Sequence, residues 1–106
     1  GPIVVKPTKS GSYIVIDRSK DTRQFFDTKL CAVAYAKNIK KPSITQKIIH
    51  IDKIMSKHNN DCIFYKHTMK KTKSIDKKIV AEDRYYISKY YVSDCKEKIY
   101  KMIFNW

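Results

Sequence analysis

The sequence predicts an α+β fold: a small antiparallel β-meander of two or three strands, covered by a helix and followed by a long antiparallel helical hairpin. Three observations carry that expectation. The only glycines are Gly1 and Gly11 and the last proline is Pro42, so the 64 residues after it run without a strong breaker. The stretch "IVVKPTKSGSYIVIDR" has the β-branched content and turn punctuation of paired strands. From Ile44 to Thr72, large or apolar residues recur at alternating spacings of 4 and 3, the spacing of a helix seam.

In chain order, strands are expected over about 3–6 and 12–18, joined by a turn around Ser10 and Gly11. "SKDT" offers a second turn, after which "RQFF" can return as a third strand. So small a sheet needs a helix against one face. Asp27 and Thr28 suit a helix N-cap before "KLCAVAYAKNIKK", a helix expected over about 28–40. Its first turns, with Leu30, Cys31, Val33, Ala34 and Tyr35, leave almost no polar side, which marks it as the element lying across the sheet.

"PSITQ" places Ser43 and Gln46 at capping-box spacing. The seam that follows runs through Ile44, Ile48, Ile51, Met55, His58, Cys62, Tyr65, Met69 and Thr72. "TKS" interrupts it, and Ser74 can cap a last helix over about 75–103. There Ile79, Tyr86 and Tyr90 form one stripe, and Val80, Ile87, Tyr91, Cys95, Ile99 and Met102 form its neighbour, a face broad enough for more than one partner. A hairpin turning near Lys73 opposes residues whose numbers sum to about 146. Each arm would run roughly 40 Å at ~1.5 Å per residue, longer than the body of a small domain is wide. Gly1 and Pro2 read as the scar of a tag protease, and residues 3–106 as one domain, with 3–41 forming the meander plus helix and 43–106 the hairpin.

Charge bounds the function. There are 23 basic residues against 10 acidic ones, a formal net charge of +13, in a chain that is nevertheless 42% hydrophobic and so equipped for a core. Such a protein associates with nucleic acid, an anionic surface or an acidic partner. The competing reading is codon usage: 20 lysines to 3 arginines, with 15 isoleucines and 8 tyrosines, is what an AT-rich genome supplies. Cys31, Cys62 and Cys95 are odd in number and widely spaced, which speaks for a reducing compartment over a disulfide framework. No apolar run approaches a membrane span and no signal peptide opens the chain, so the expected setting is cytoplasmic, without a membrane.

Chemistry-bearing constellations are few. His58 and Cys62 are neighbours at i, i+4 and His67 is near, but the hairpin pairing brings no fourth ligand, so no metal or other cofactor is expected. Glu82, Asp83, Asp94 and Glu97 sit at helix-pair spacing from basic residues, as surface ion pairs do, with Asp94 matched to Lys98 and Glu97 to Lys101. Phosphate-cradling glycine loops, nucleophile elbows and metal-binding helix motifs are absent, and no enzyme activity is expected.

The remaining signal is "FYKHTMKKTKSIDKK", in which Lys66, Lys70, Lys73 and Lys77 fall at spacings 4, 3 and 4 with Lys71 and Lys78 beside them. These six are the candidate nucleic-acid-binding residues, acting as point charges on phosphates. The alternative is a hairpin tip kept soluble by charge. Lys37, Lys40 and Lys41 form a second group at the end of the first helix. Phe64, Tyr65 and Met69 are assigned to packing, as are Tyr85 and Tyr86 in preference to base stacking.

"FYKHTMKKTKSIDKK" followed by "AEDRYYISKYYVSDCKEKIYKM" resembles, in layout, small proteins of tailed bacteriophages with large AT-rich genomes, marine phages of cyanobacteria among them. The similarity spans about residues 55–102. It implies a phage origin and a host-cytoplasm or virion setting, and brings no activity and no site residue. The expected function is therefore non-enzymatic binding of nucleic acid or another polyanion through the lysine-rich tip. The rival class is a protein–protein module whose hairpin seam forms a homodimer or captures a host or virion protein.

Overall fold

The computed structural model describes residues 1–104. Strands β1 (Ile3–Pro7), β2 (Tyr13–Asp17) and β3 (Thr22–Phe26) form an antiparallel sheet in the order β1-β2-β3, so the meander has three strands. The register aligns Val5 with Val15 and Val15 with Gln24, and Tyr13 with Phe26. Alternation along the strands then puts Tyr13, Val15, Asp17 and Phe26 on one face, where Val15 and Phe26 are fully buried. The opposite face carries Val4, Ile14 and Ile16, which are half-buried, and Phe25, which is 60% exposed.

Both turns use the left-handed region. Gly11 has φ +86°, and its N–H donates to the Thr8 carbonyl at 3.2 Å while the Thr8 N–H donates to the Ser12 carbonyl at 2.9 Å. Asp21 has φ +51°, a conformation that Asp tolerates better than most residues. Beside it, Ser19 donates its hydroxyl at 2.6 Å and its N–H at 3.0 Å to Asp17 Oδ1. These bonds, the hydroxyl's first, hold the Asp17 carboxyl below the usual carboxylate range.

Helix α1 (Lys29–Lys37) starts where expected: Thr28 is the N-cap, and its Oγ1 accepts from the Cys31 N–H at 3.3 Å. It packs on all three strands and also on both long helices, which its small buried residues Cys31, Ala32 and Ala34 permit. The Tyr35 ring meets Phe26 of the sheet at 5.0 Å. The helix ends three residues before the expected boundary at 40. Asn38 is buried, and its side-chain amide donates to the Ala34 carbonyl at 2.8 Å while its backbone N–H turns to Tyr35 at 3.0 Å, which closes the last turn.

Two 30-residue helices follow, α2 (Pro42–Lys71) and α3 (Ile75–Phe104), packed against each other as a hairpin. The Ser43–Gln46 capping box does not form. α2 begins two residues earlier than that cap would start it, with Pro42 in the first turn and Lys41 in the N-cap position making no side-chain cap. A proline there needs no N–H partner and already holds a helical φ, so the side-chain cap is dispensable.

The α2 seam is as expected in position and graded in depth. Ile48, Ile51 and Met55 are buried where α1 covers the hairpin, whereas His58, Cys62, Tyr65, Met69 and Thr72 are only half-buried towards its tip. Two seam contacts fix the pairing: the His58 ring stacks on Tyr91 at 4.9 Å, and Cys62 Sγ lies 3.9 Å from the Tyr85 carbonyl oxygen. On α3 the buried line is Ala81, Ser88, Val92, Cys95 and Ile99. Of the expected stripe, Cys95 and Ile99 are inside and Met102 half-buried, but Val80, Ile87 and Tyr91 are 58%, 46% and 46% exposed. Small residues win the interface because they let the helices approach closely; ranking positions by apolar size points one residue to the side.

One buried charge ties the hairpin to the body. Asp52, 4% exposed, accepts from the Asp27 N–H at 2.9 Å, the Thr28 N–H at 3.1 Å and the Thr28 hydroxyl at 2.8 Å. It thereby satisfies donors at the start of α1 and orients the Thr28 hydroxyl that caps it. The molecule measures 56 × 32 × 16 Å. Its long dimension is that of the hairpin, since 30 residues span about 45 Å.

Candidate polyanion-binding tip

The connection between α2 and α3 is three residues, Thr72 to Ser74, and contains no glycine. Side chains and backbone close it together. The Thr72 N–H donates to the Thr68 carbonyl at 2.9 Å, Thr72 Oγ1 accepts from the Ser74 N–H at 3.2 Å, and Ser74 Oγ accepts from the Lys77 N–H at 3.3 Å. Ser74 is thus the cap expected for the last helix.

This turn places the lysines. Lys66, Lys70 and Lys71 lie on the last turns of α2, Lys73 in the connection, and Lys77 and Lys78 on the first turn of α3; all six are exposed. Among the described residues none of them is in an ion pair, and Asp76 is the one acid between Cys62 and Ala81. The two arms differ electrostatically. Lys70 and Lys71 complement the negative end of α2, whereas Lys77 and Lys78 sit against the positive end of α3, where cations weaken a helix. Two of the six lysines are therefore placed against their helix, and local helix stability does not account for them.

Beside the lysines the two helices leave a groove of about 350 Å³ lined by Phe64, Tyr65, Thr68, Asp76, Lys77 and Val80. Phe64 was expected to pack, but it is 62% exposed, with its ring edge-on to Tyr65 at 5.3 Å. No sheet or third helix reaches this end, so an aromatic there stays in water. Tyr86, also expected to pack, is 60% exposed, while Tyr85 is half-buried beneath Lys89, whose Nζ is 5.8 Å from the ring centre.

The second lysine group is not brought to the tip. Lys37, Lys40 and Lys41 precede α2 and therefore lie about 45 Å away along it. His58 and Cys62 are engaged in the seam, and His67 is exposed on the outer side of α2. The acids of α3 pair as expected, Asp94 with Lys98 at 3.1 Å and Glu97 with Lys101 at 3.5 Å. Its hydrogen bond to Asp94 holds the Lys98 ammonium above its ordinary range. Among the described residues no helix is long and apolar enough to cross a membrane. No protein-family model, curated protein or solved structure matches this chain.

Proposed function

We propose that this is a non-enzymatic binding protein that holds nucleic acid by its phosphates through Lys66, Lys70, Lys71, Lys73, Lys77 and Lys78. The observation that carries the reading is the tip: six exposed, unpaired ammonium groups around one turn, two of them placed where they weaken their own helix. Point charges of this kind neutralise phosphates without reading bases. The exposed Phe64 ring beside them adds a face on which an unpaired base can stack, so a single strand is preferred over a duplex. The phage resemblance would place that binding in the host cytoplasm.

Fluorescence anisotropy with labelled single- and double-stranded oligonucleotides tests the proposal. If all six lysines meet phosphates, log affinity falls against log salt with a slope of about −5 on duplex and about −4 on single strands. Changing Lys70, Lys71, Lys73 and Lys77 together to Glu should abolish binding while the helical circular dichroism persists. Unaltered binding by that variant, or none by the wild type at low salt, refutes it.

A second reading, a protein–protein module, is favoured by the apolar residues that α3 leaves in water, with Ile75 at 75% and Tyr90 at 67% exposure.

A further inference from the structure

Helix α3 is apolar on two opposite sides. Its inner line, Ala81 to Ile99, is covered by the rest of the chain. At 100° per residue, eight positions on the other side fall within about 30° of one straight line: 75, 79, 82, 86, 93, 97, 100 and 104. Their spacings are 4, 3, 4, 7, 4, 3 and 4, which read the same in either direction. All eight are exposed, and five carry Ile, Tyr or Phe. Tyr90 stands at the edge of the gap in the middle.

We infer that this outer face of α3 is a homodimer interface, in which α3 packs antiparallel against α3 of a second copy about a two-fold axis between Lys89 and Tyr90. A two-fold interface must be self-complementary, so that when residue i meets residue j, j also meets i. The palindromic spacing meets that condition, because each position pairs with the one whose number completes a sum of 179. Ile75 then meets Phe104 and Ile79 meets Tyr100 at both ends of the contact, while the Tyr86 ring lies over the small Ser93.

Area and the self-complementary spacing select a second copy as the occupant, and charge sets its direction. Ile75, Ile79, Tyr86, Tyr90, Tyr100 and Phe104 are between 48% and 75% exposed and leave on the order of 700 Å² of side chain in water, close to the roughly 800 Å² that each partner of a stable complex covers. A chain of net charge +13 repels its copy, and a parallel pairing would set two lysine tips side by side. The antiparallel pairing separates them by the length of α3, about 45 Å, several times the ~8 Å screening length. It does set like charges together: Glu82 faces Glu97 of the other copy near each end, and Lys89, beside the two-fold axis, lies next to Lys89 of the other copy.

Sedimentation equilibrium and cysteine cross-linking decide it. At about 100 µM, above the micromolar Kd of the weakest interfaces of this area, the protein should be dimeric. Replacing Tyr90 by Glu lowers the net charge but should weaken the dimer at least tenfold. Replacing Glu82 and Glu97 together by Leu should strengthen it by a similar factor. In a Cys62→Ala background, Tyr90→Cys should form a disulfide with its own copy, whereas Ile75→Cys should cross-link to Phe104→Cys and not to itself. A monomer at that concentration, or self-cross-linking of Ile75→Cys with none at Tyr90→Cys, overturns the inference.

Discussion

Asp52 is the residue on which the joint between body and hairpin depends. Its carboxylate is the acceptor for three donors at the entry to α1. Asp52→Ala removes the acceptor of two part-buried backbone N–H groups and of the Thr28 hydroxyl, so it should cost about 1–3 kcal/mol in urea unfolding. Asp52→Asn keeps one acceptor and turns an NH₂ towards a donor, and should lose nearly as much. The thiols give a pH signature. Burial pushes the Cys31 thiol up from 9.0 to about 12, and Cys62 and Cys95 shift the same way. The folded chain therefore keeps protons that the unfolded chain releases above pH 9. Stability from Cys31 is complete below pH 9 and is lost progressively as pH rises towards 12, at up to ~1.4 kcal/mol per pH unit. Cys31→Ala should be less stable at neutral pH yet show a shallower decline between pH 9 and 10.5, measured by denaturant titration at each pH. None of this was legible beforehand: a single Asp within a helix gives no sign of which backbone donors it will meet 24 residues away.

At the level of elements, strand and helix positions were readable because period and punctuation are local properties. Gly11, Pro42 and Ser74 mark boundaries by their own backbone or capping preferences. The end of α1 was not readable, because it depends on Asn38 bonding back to Ala34. Nor was the inner line of α3 beyond Cys95 and Ile99, where close approach favours Ala81 and Ser88 over bulkier neighbours. The lysines of the tip were legible as a cluster; that Phe64 would stand exposed beside them was not, since it depends on where the body stops. The two arms of the tip make a prediction with opposed signs. Lys77→Glu with Lys78→Glu should stabilise the hairpin by about 0.5 kcal/mol for each change, because the charge at the start of α3 is reversed, and should simultaneously weaken oligonucleotide binding. Thermal melts and anisotropy on the same sample check it. A solubility role for these lysines predicts the stability gain without the loss of binding.

Across the whole molecule, depth of burial falls from one end to the other. Ile48 and Met55 sit in the common core with the sheet and α1, whereas Tyr65 and Met69 have only the opposing helix. Met55→Ala should cost about 2–4 kcal/mol, and Met69→Ala well under half of that. Amide exchange should show the same gradient, slow around Met55 and fast from Tyr65 to Ala81. A stiff base with a looser tip suits a contact made by charge alone, which requires proximity to phosphates but no fixed register on them.

Helix α1 needs α3 as well as α2, because Cys95 and Ile99 share the core with Cys31 and Ala34. During synthesis the sheet and α1 leave the ribosome before the long helices, and the residues that close over them come some 58 positions after Lys41. At 5–20 residues per second that interval is roughly 3–12 s. For that time the sheet and α1 exist without their cover, and a nascent fragment of residues 1–41 should be protease-sensitive until Ile99 emerges.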